Sequence, residues 1–314
     1  MQLDAGALSA RIAGPARPVT RRAWRRTRVL LGSGGARFGT GILLAVLASA
    51  AAPGWLAPAD PNEQNLLARF TRPATRAPGG TLAVLGTDQL GRDILSRVIH
   101  GAKTSVLIGL SAVLVAGAVG TSLGLLAGMR GGLWDHAIMR LADMQFAFPF
   151  ILLAITVIGV LGASVRNIVL VVGLSNWVAY ARVVRAETLA TREKAFVDAA
   201  RALGVSLPSI VLRHVLPNVS ASLIVVATFG VAGAILTEAG LSFLGLGVPL
   251  AIPSWGGMLA EGRQFVDTRY WLALFPGAAL FVTVMGINLL GDALRDALDP
   301  YLQTRHARTS MDRL

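Results

Sequence analysis

Three groups of residues have types and spacings that could do chemistry. The first is Asp198-Ala199-Ala200-Arg201-Ala202-Leu203-Gly204. Alanine and leucine favour a helix, and Gly204 suits the left-handed residue that ends one. The small side chains let another backbone approach closely, while Asp198 and Arg201 offer charge at the rim of such a contact. Leu216-Pro217 closes the same segment, with Pro217 where the chain would re-enter a membrane. That is the chemistry of docking, not of catalysis. The second group is Gly86-Thr87-Asp88-Gln89-Leu90-Gly91-Arg92-Asp93, followed by Arg97. A glycine turn leads into a helix start, where Asp88 and Asp93 favour the N-terminus and Arg92 or Arg97 can pair with them. On chemistry alone it reads equally well as a solvated cap. The third is Glu238, which lies 21 residues beyond Pro217, roughly 31 Å along a helix. That predicts a place near a membrane surface, as a paired or snorkelled structural acid rather than a transport carboxylate.

The chain lacks most catalytic machinery. It has no Gly-x-x-x-x-Gly-Lys-Ser/Thr loop, and Gly101-Ala102-Lys103-Thr104 only approximates one. Cysteine is absent, and His100, His136, His214 and His306 keep no metal-ligand spacing. No nucleophile elbow or pair of catalytic carboxylates is present. A non-enzyme without metal or cofactor is the expectation. The net charge of +12 is concentrated: residues 1–37 hold eight arginines against Asp4 alone. Such a tail suits an anionic membrane surface. Ala199–Ser206 also has the look of a helix-turn-helix, but Pro208 falls early in the would-be recognition helix and apolar spans flank it. Nucleic acid is therefore not an expected partner.

The elements that must position these groups are membrane spans. Of 314 residues, 54% are hydrophobic and 15% charged, against about 25% charged in soluble proteins. Mean hydropathy is +0.62. A span needs roughly 20 apolar residues, and six stretches qualify or nearly do: 38–59, 104–129, 144–165, 167–181, 215–237 and 271–291. The fourth holds Ser175 and Asn176, candidates for pathway lining or packing. It crosses only if its helix runs past Arg182, whose side chain can snorkel. The glycines of 240–247 suit close helix packing. With the N-terminus inside, inner segments carry 20 of the 29 basic residues, which predicts both termini in the cytoplasm. Thr20-Arg21-Arg22-Ala23-Trp24 faintly resembles a twin-arginine signal and Ala48-Ser49-Ala50 a cleavage site, yet five further spans argue for retention. The expected organisation is all-α and polytopic. It comprises a basic tail (1–37), a first span with an outer loop (38–103), a five-helix core (104–300) holding a cytoplasmic loop (182–216), and a second tail (301–314).

That loop resembles the signature of binding-protein-dependent ABC importer permeases, Glu-Ala-Ala, three residues, Gly, nine residues, Ile, one residue, Leu-Pro. Here it reads Asp198-Ala199-Ala200, Gly204, His214, Leu216-Pro217 with every spacing kept. Asp198 replaces Glu, and His214 stands at the Ile position. Gly-Thr-Asp-x-x-Gly-Arg-Asp at 86–93 resembles the C-type subunits of dipeptide, oligopeptide and nickel permeases. So do Leu236–Gly247, Pro253-Ser254-Trp255-Gly256 and the end of the last span through Asp299-Pro300.

The resemblance implies a six-helix type I importer permease in the bacterial cytoplasmic membrane. Its partners would be a homologous permease, two ABC ATPase subunits that hold the ATP and Mg, and an extracytoplasmic solute-binding protein. Residues 198–204 would form the coupling helix in an ATPase groove, with Ala199, Ala200 and Leu203 packed inside. Short peptides are the first expectation for cargo, with nickel complexes and glutathione open. The rival reading is an ion-coupled secondary transporter, which would show ionisable residues or broken helices near mid-membrane.

Overall fold

The computed structural model describes residues 34–78 and 80–298. The arginine-rich start, the resemblance to a twin-arginine signal, Asp299-Pro300 and the tail 301–314 lie outside the described residues. Among the described residues, nine helices of eight residues or more carry the fold: α1 (Gly34–Ala51), α2 (Ile94–Arg130), α3 (Gly132–Ala147), α4 (Phe150–Leu161), α5 (Val165–Arg192), α6 (Ala195–Ala202), α7 (Leu216–Phe243), α8 (Trp255–Gly262) and α9 (Trp271–Leu298). A two-residue hairpin, β1 (Thr75–Arg76) with β2 (Leu82–Ala83), decorates the loop before α2. Among the described residues, α1, α2, α5, α9 and the stretch Leu207–Phe243 are long and apolar enough to cross a membrane.

Glycine sets how the spans meet. An added Cβ at Gly120 would sit 2.4 Å from the Trp177 carbonyl, at Gly124 2.6 Å from that of Ala181, and at Gly128 2.6 Å from Thr188 Cβ. Small residues four apart bring the two backbones together where apolar side chains would gain nothing over lipid. The contacts rise together in number, so α2 and α5 run parallel. The chain between them must therefore cross back once, and only α3 with α4 is available to do it. The sixth span is this pair, bent by 87°. Its break differs from the continuous stretch expected at 144–165. Pro149 has no N–H to donate and forces Phe148 out of helical geometry, to φ −95° and ψ 129°.

The other spans match more closely. α5 does continue past Arg182, whose guanidinium meets Asp143 at 2.8 Å rather than reaching for solvent alone. α7 packs antiparallel on α2, with Gly109 against Ile235 and Gly230 near Val113. α1 lies antiparallel on α9, where Gly39 abuts the Gly286 carbonyl. The start of α1 and the end of α9 thus share one side of the bundle. α1 ends before Pro53, eight residues short of the expected 59, and a single turn (Pro53–Leu56) follows. Of the glycines in 240–247, only Gly247 is tightly placed, against Ser242; Gly240 faces open space, and Gly245 has φ +83° in the turn that ends α7. There Leu246 N–H bonds Leu241 O and Gly245 N–H bonds Ser242 O, a two-bond cap for the last carbonyls.

Candidate functional site

At the end of the bundle where α2 begins, the 86–97 segment is folded inward rather than solvated. Gly86 (φ +84°) and Gly91 (φ +76°) make turns that other residues resist. A Cβ on Gly91 would fall 1.8 Å from the Asn65 carbonyl. Asp93 caps α2, accepting from Ser96 N–H at 2.8 Å and Ser96 O–H at 2.7 Å. The Thr87 hydroxyl donates to Ala68 O and accepts from Thr71 N–H. Asp88 is buried and takes Leu90 N–H and Arg92 N–H on one oxygen. Its other oxygen receives Arg92 Nε and Arg97 Nη1, both at 2.6 Å.

The same two arginines also hold Glu261 of α8. Arg97 reaches it with both terminal nitrogens at 3.0 Å, Arg92 through Nη2, and Gln89 Nε2 at 2.9 Å. Two cations and two carboxylates are thus buried together, balanced in charge. Burial alone would push the Glu261 carboxyl up, but the hydrogen bonds and charge of Arg97, then Arg92 and Gln89, outweigh it. The net effect holds that carboxyl below the usual range. Glu261 was not legible as a site residue: it lies 169 residues from Arg92 and has no local motif.

α8 is clamped at its other end by Glu238, which is fully buried in α7. Glu238 Oε1 accepts from the hydroxyls of Ser242 at 2.7 Å and Ser254 at 3.2 Å, and Ser254 in turn caps α8 by accepting Gly257 N–H at 3.0 Å. It sits five residues before the end of α7. However, it neither snorkels nor meets a cation among the described residues. Trp255 completes the clamp, donating from Nε1 to Val98 O and from its backbone N–H to Ser105 Oγ.

At the opposite end, α6 spans Ala195–Ala202 and stops on Gly204 at φ +75°. Val205 N–H bonds Ala200 O at 3.1 Å and Gly204 N–H bonds Arg201 O at 2.9 Å, the two-bond cap again. One edge of α6 faces inward: Val197 and Ala200 are buried against Val184, Ile210, Val215, Val219 and Met129. Ala200 is therefore unavailable to a partner, contrary to the expectation that it packs in a groove. The period of a helix gives a stripe but not which way it faces. The outward edge carries Phe196, Ala199 and Leu203, the last 83% exposed. Asp198 and Arg201 pair loosely there at 3.6 Å. Beyond Gly204 a turn (Leu207–Ile210) and a π-helical turn (Val211–Val215) lead into α7. His214 lies in that π turn with its ring 6.0 Å from Phe196, Leu216 is half-buried and Pro217 is exposed in the first turn of α7.

Residues 120–304 match the family described as "Binding-protein-dependent transport system inner membrane component", more than half the chain. The chain belongs to this family. It is accordingly a multi-pass inner-membrane permease component, not an enzyme, and the family needs no cofactor.

The permease is 43% identical over 262 residues to the di/tripeptide transport system permease protein DppC of Pseudomonas aeruginosa, covering 83% of this chain and 86% of that one. It is 44% identical over 220 residues to the glutathione transport system permease protein GsiD of Pectobacterium atrosepticum, covering 70% and 73%. Its fold is similar to that of an inward-facing MetNI methionine ABC transporter chain. The TM-score is 0.53 at 17% identity, covering 65% of the permease and 96% of that chain. The expected family and polytopic helical fold are both met. Ser175 and Asn176 lie on α5 of the permease, each bonded to the carbonyl four residues back, with Asn176 exposed and Ser175 half-buried. They do not join either cluster.

Proposed function

We propose that this permease is one of two homologous membrane subunits of an ATP-driven importer of short peptides. Both termini lie in the cytoplasm, and α6 receives force from one of two ATPase subunits. The observation that carries the reading is the form of the 195–204 segment. It is a short helix anchored on its inner edge by Val197 and Ala200 and closed rigidly at Gly204. Its outer edge of Phe196, Ala199 and Leu203 is exposed among the described residues, with only the His214 ring beside Phe196. An apolar edge so exposed on a polar face suits a groove in another protein. Anchorage to α5 and α7 lets motion at that edge reach the spans as a rigid displacement rather than being absorbed by a loop. Orientation is supported by the basic residues, which concentrate on the side that carries α6. The peptide class is supported by the cargo in the names of the similar permeases, di/tripeptide and glutathione.

The test is a crosslink. Leu203→Cys, in a chain with no native cysteine, should join a cysteine placed in the ATPase subunit of the assembled transporter, from the cytoplasmic side. Modification of that thiol only by an impermeant reagent added outside contradicts both the orientation and the coupling role.

A further inference from the structure

The bend between α3 and α4 is exposed main chain inside a membrane span. α5 sets its depth: Asn176 is eleven residues past Val165, about 16 Å from the start of that helix, about half of a hydrocarbon core of about 30 Å. Gln145, three residues before Phe148, holds the break near that level, donating from Nε2 to Ser175 O at 2.7 Å and accepting from Trp177 Nε1 on its own oxygen.

Phe148 N–H turns back to Gln145 O at 3.3 Å. The carbonyls of Phe146 and Ala147 then have no helical N–H to meet, because the residues four further on open α4. Phe148 is 70% exposed, and Pro149 is exposed as well. Irregular backbone at this depth is tolerated only where protein buries it or water reaches it. Among the described residues nothing buries it. The exposed carboxamide of Asn176 stands at the same level, and polar side chains at mid-depth are likewise costly against lipid.

We infer that Phe148-Pro149, Ser175 and Asn176 wall the water-filled passage, and that they meet the main-chain amides of a passing peptide. This rests on the permease reading and names the surface that it leaves unassigned. The groups on offer are neutral carbonyls, a hydroxyl and a carboxamide, complements of the amide unit common to all peptides. The nearest charges, Asp143 and Arg182, engage each other. A wall of this kind grips main chain without selecting side chains.

Because the chain has no cysteine, single cysteines can be read without background. Phe148→Cys and Asn176→Cys are compared with Leu114→Cys in vesicles that hold the whole transporter, using a charged, membrane-impermeant thiosulfonate. Leu114 is 72% exposed among apolar neighbours, and its level is fixed by the approach of Gly173 to Ala112 and Val115. Thiolates form only where water reaches, so positions 148 and 176 should label at least about tenfold faster than 114, and saturating dipeptide should slow both. Labelling as slow as at 114 overturns the passage, and labelling indifferent to dipeptide overturns the peptide contact. ATP-driven uptake measured in the same vesicles separates these outcomes from failure of the importer reading.

Discussion

Gly204→Pro will leave the permease inserted and assembled but reduce ATP-driven uptake by at least about tenfold, equivalent to about 1.4 kcal/mol of lost coupling. Proline is fixed near φ −65°, whereas this residue sits at φ +75°. It also has no N–H for Arg201 O, so half of the cap that ends α6 is lost. The cap sets the angle at which Leu203 leaves the helix, so its loss misdirects the outer edge while Val197 and Ala200 still hold the inner one. Gly204→Ala is the graded companion: it keeps the N–H and strains the left-handed conformation by about 1 kcal/mol, so a partial loss is expected. ATPase activity of the complex should persist in both variants, no longer tied to uptake. Equal uptake by Gly204→Pro and the parent would remove the coupling role from this segment.

Arg97→Met will have the largest effect on stability. Methionine keeps the volume of the stem but leaves Asp88 and Glu261 sharing one cation in a buried site. Removing one partner of a buried ion pair costs about 3–5 kcal/mol, enough to lower the melting temperature of the detergent-solubilised permease by roughly 10 °C. Adding Glu261→Gln restores one cation to one anion, and the double variant should recover a large part of that loss. A double variant no more stable than Arg97→Met would show that the four groups do not act as a unit.

Acid supplies a second readout. The Glu261 carboxyl is held below its ordinary range, so its contribution is present above the unfolded-state pKa, near 4.3, and is lost as pH falls through the lowered folded value. The melting temperature of the parent should therefore drop steeply below about pH 4. The Glu261→Gln variant should lack part of that acid limb.

What was legible in the sequence follows from the range of each interaction. The turn at Gly204, the cap at Asp93 and the helical runs of α2, α5, α7 and α9 depend on near neighbours, and residue type announces them. The break in the third span depends on Pro149 alone, and the apolar run on both sides conceals it from a hydropathy reading. The inward face of Ala200 depends on Ile210 and Val219 arriving from α7 and the turns before it. Periodicity carries no information about that. Glu261 is further out of reach: alone on α8 it has no motif, and only the folding of α8 against α2 brings it to Arg92 and Arg97. Gln145 is the same kind of case, an isolated amide whose meaning comes from α5.

The measurement closest to the central claim is solute uptake by vesicles loaded with ATP. The complete transporter should accumulate a labelled dipeptide only with ATP inside and the ATPase subunits and binding protein present, and a proton uncoupler should leave the rate unchanged. Uptake by the permease without its ATPase subunits, abolished by the uncoupler, would contradict the account and mark an ion-coupled carrier instead.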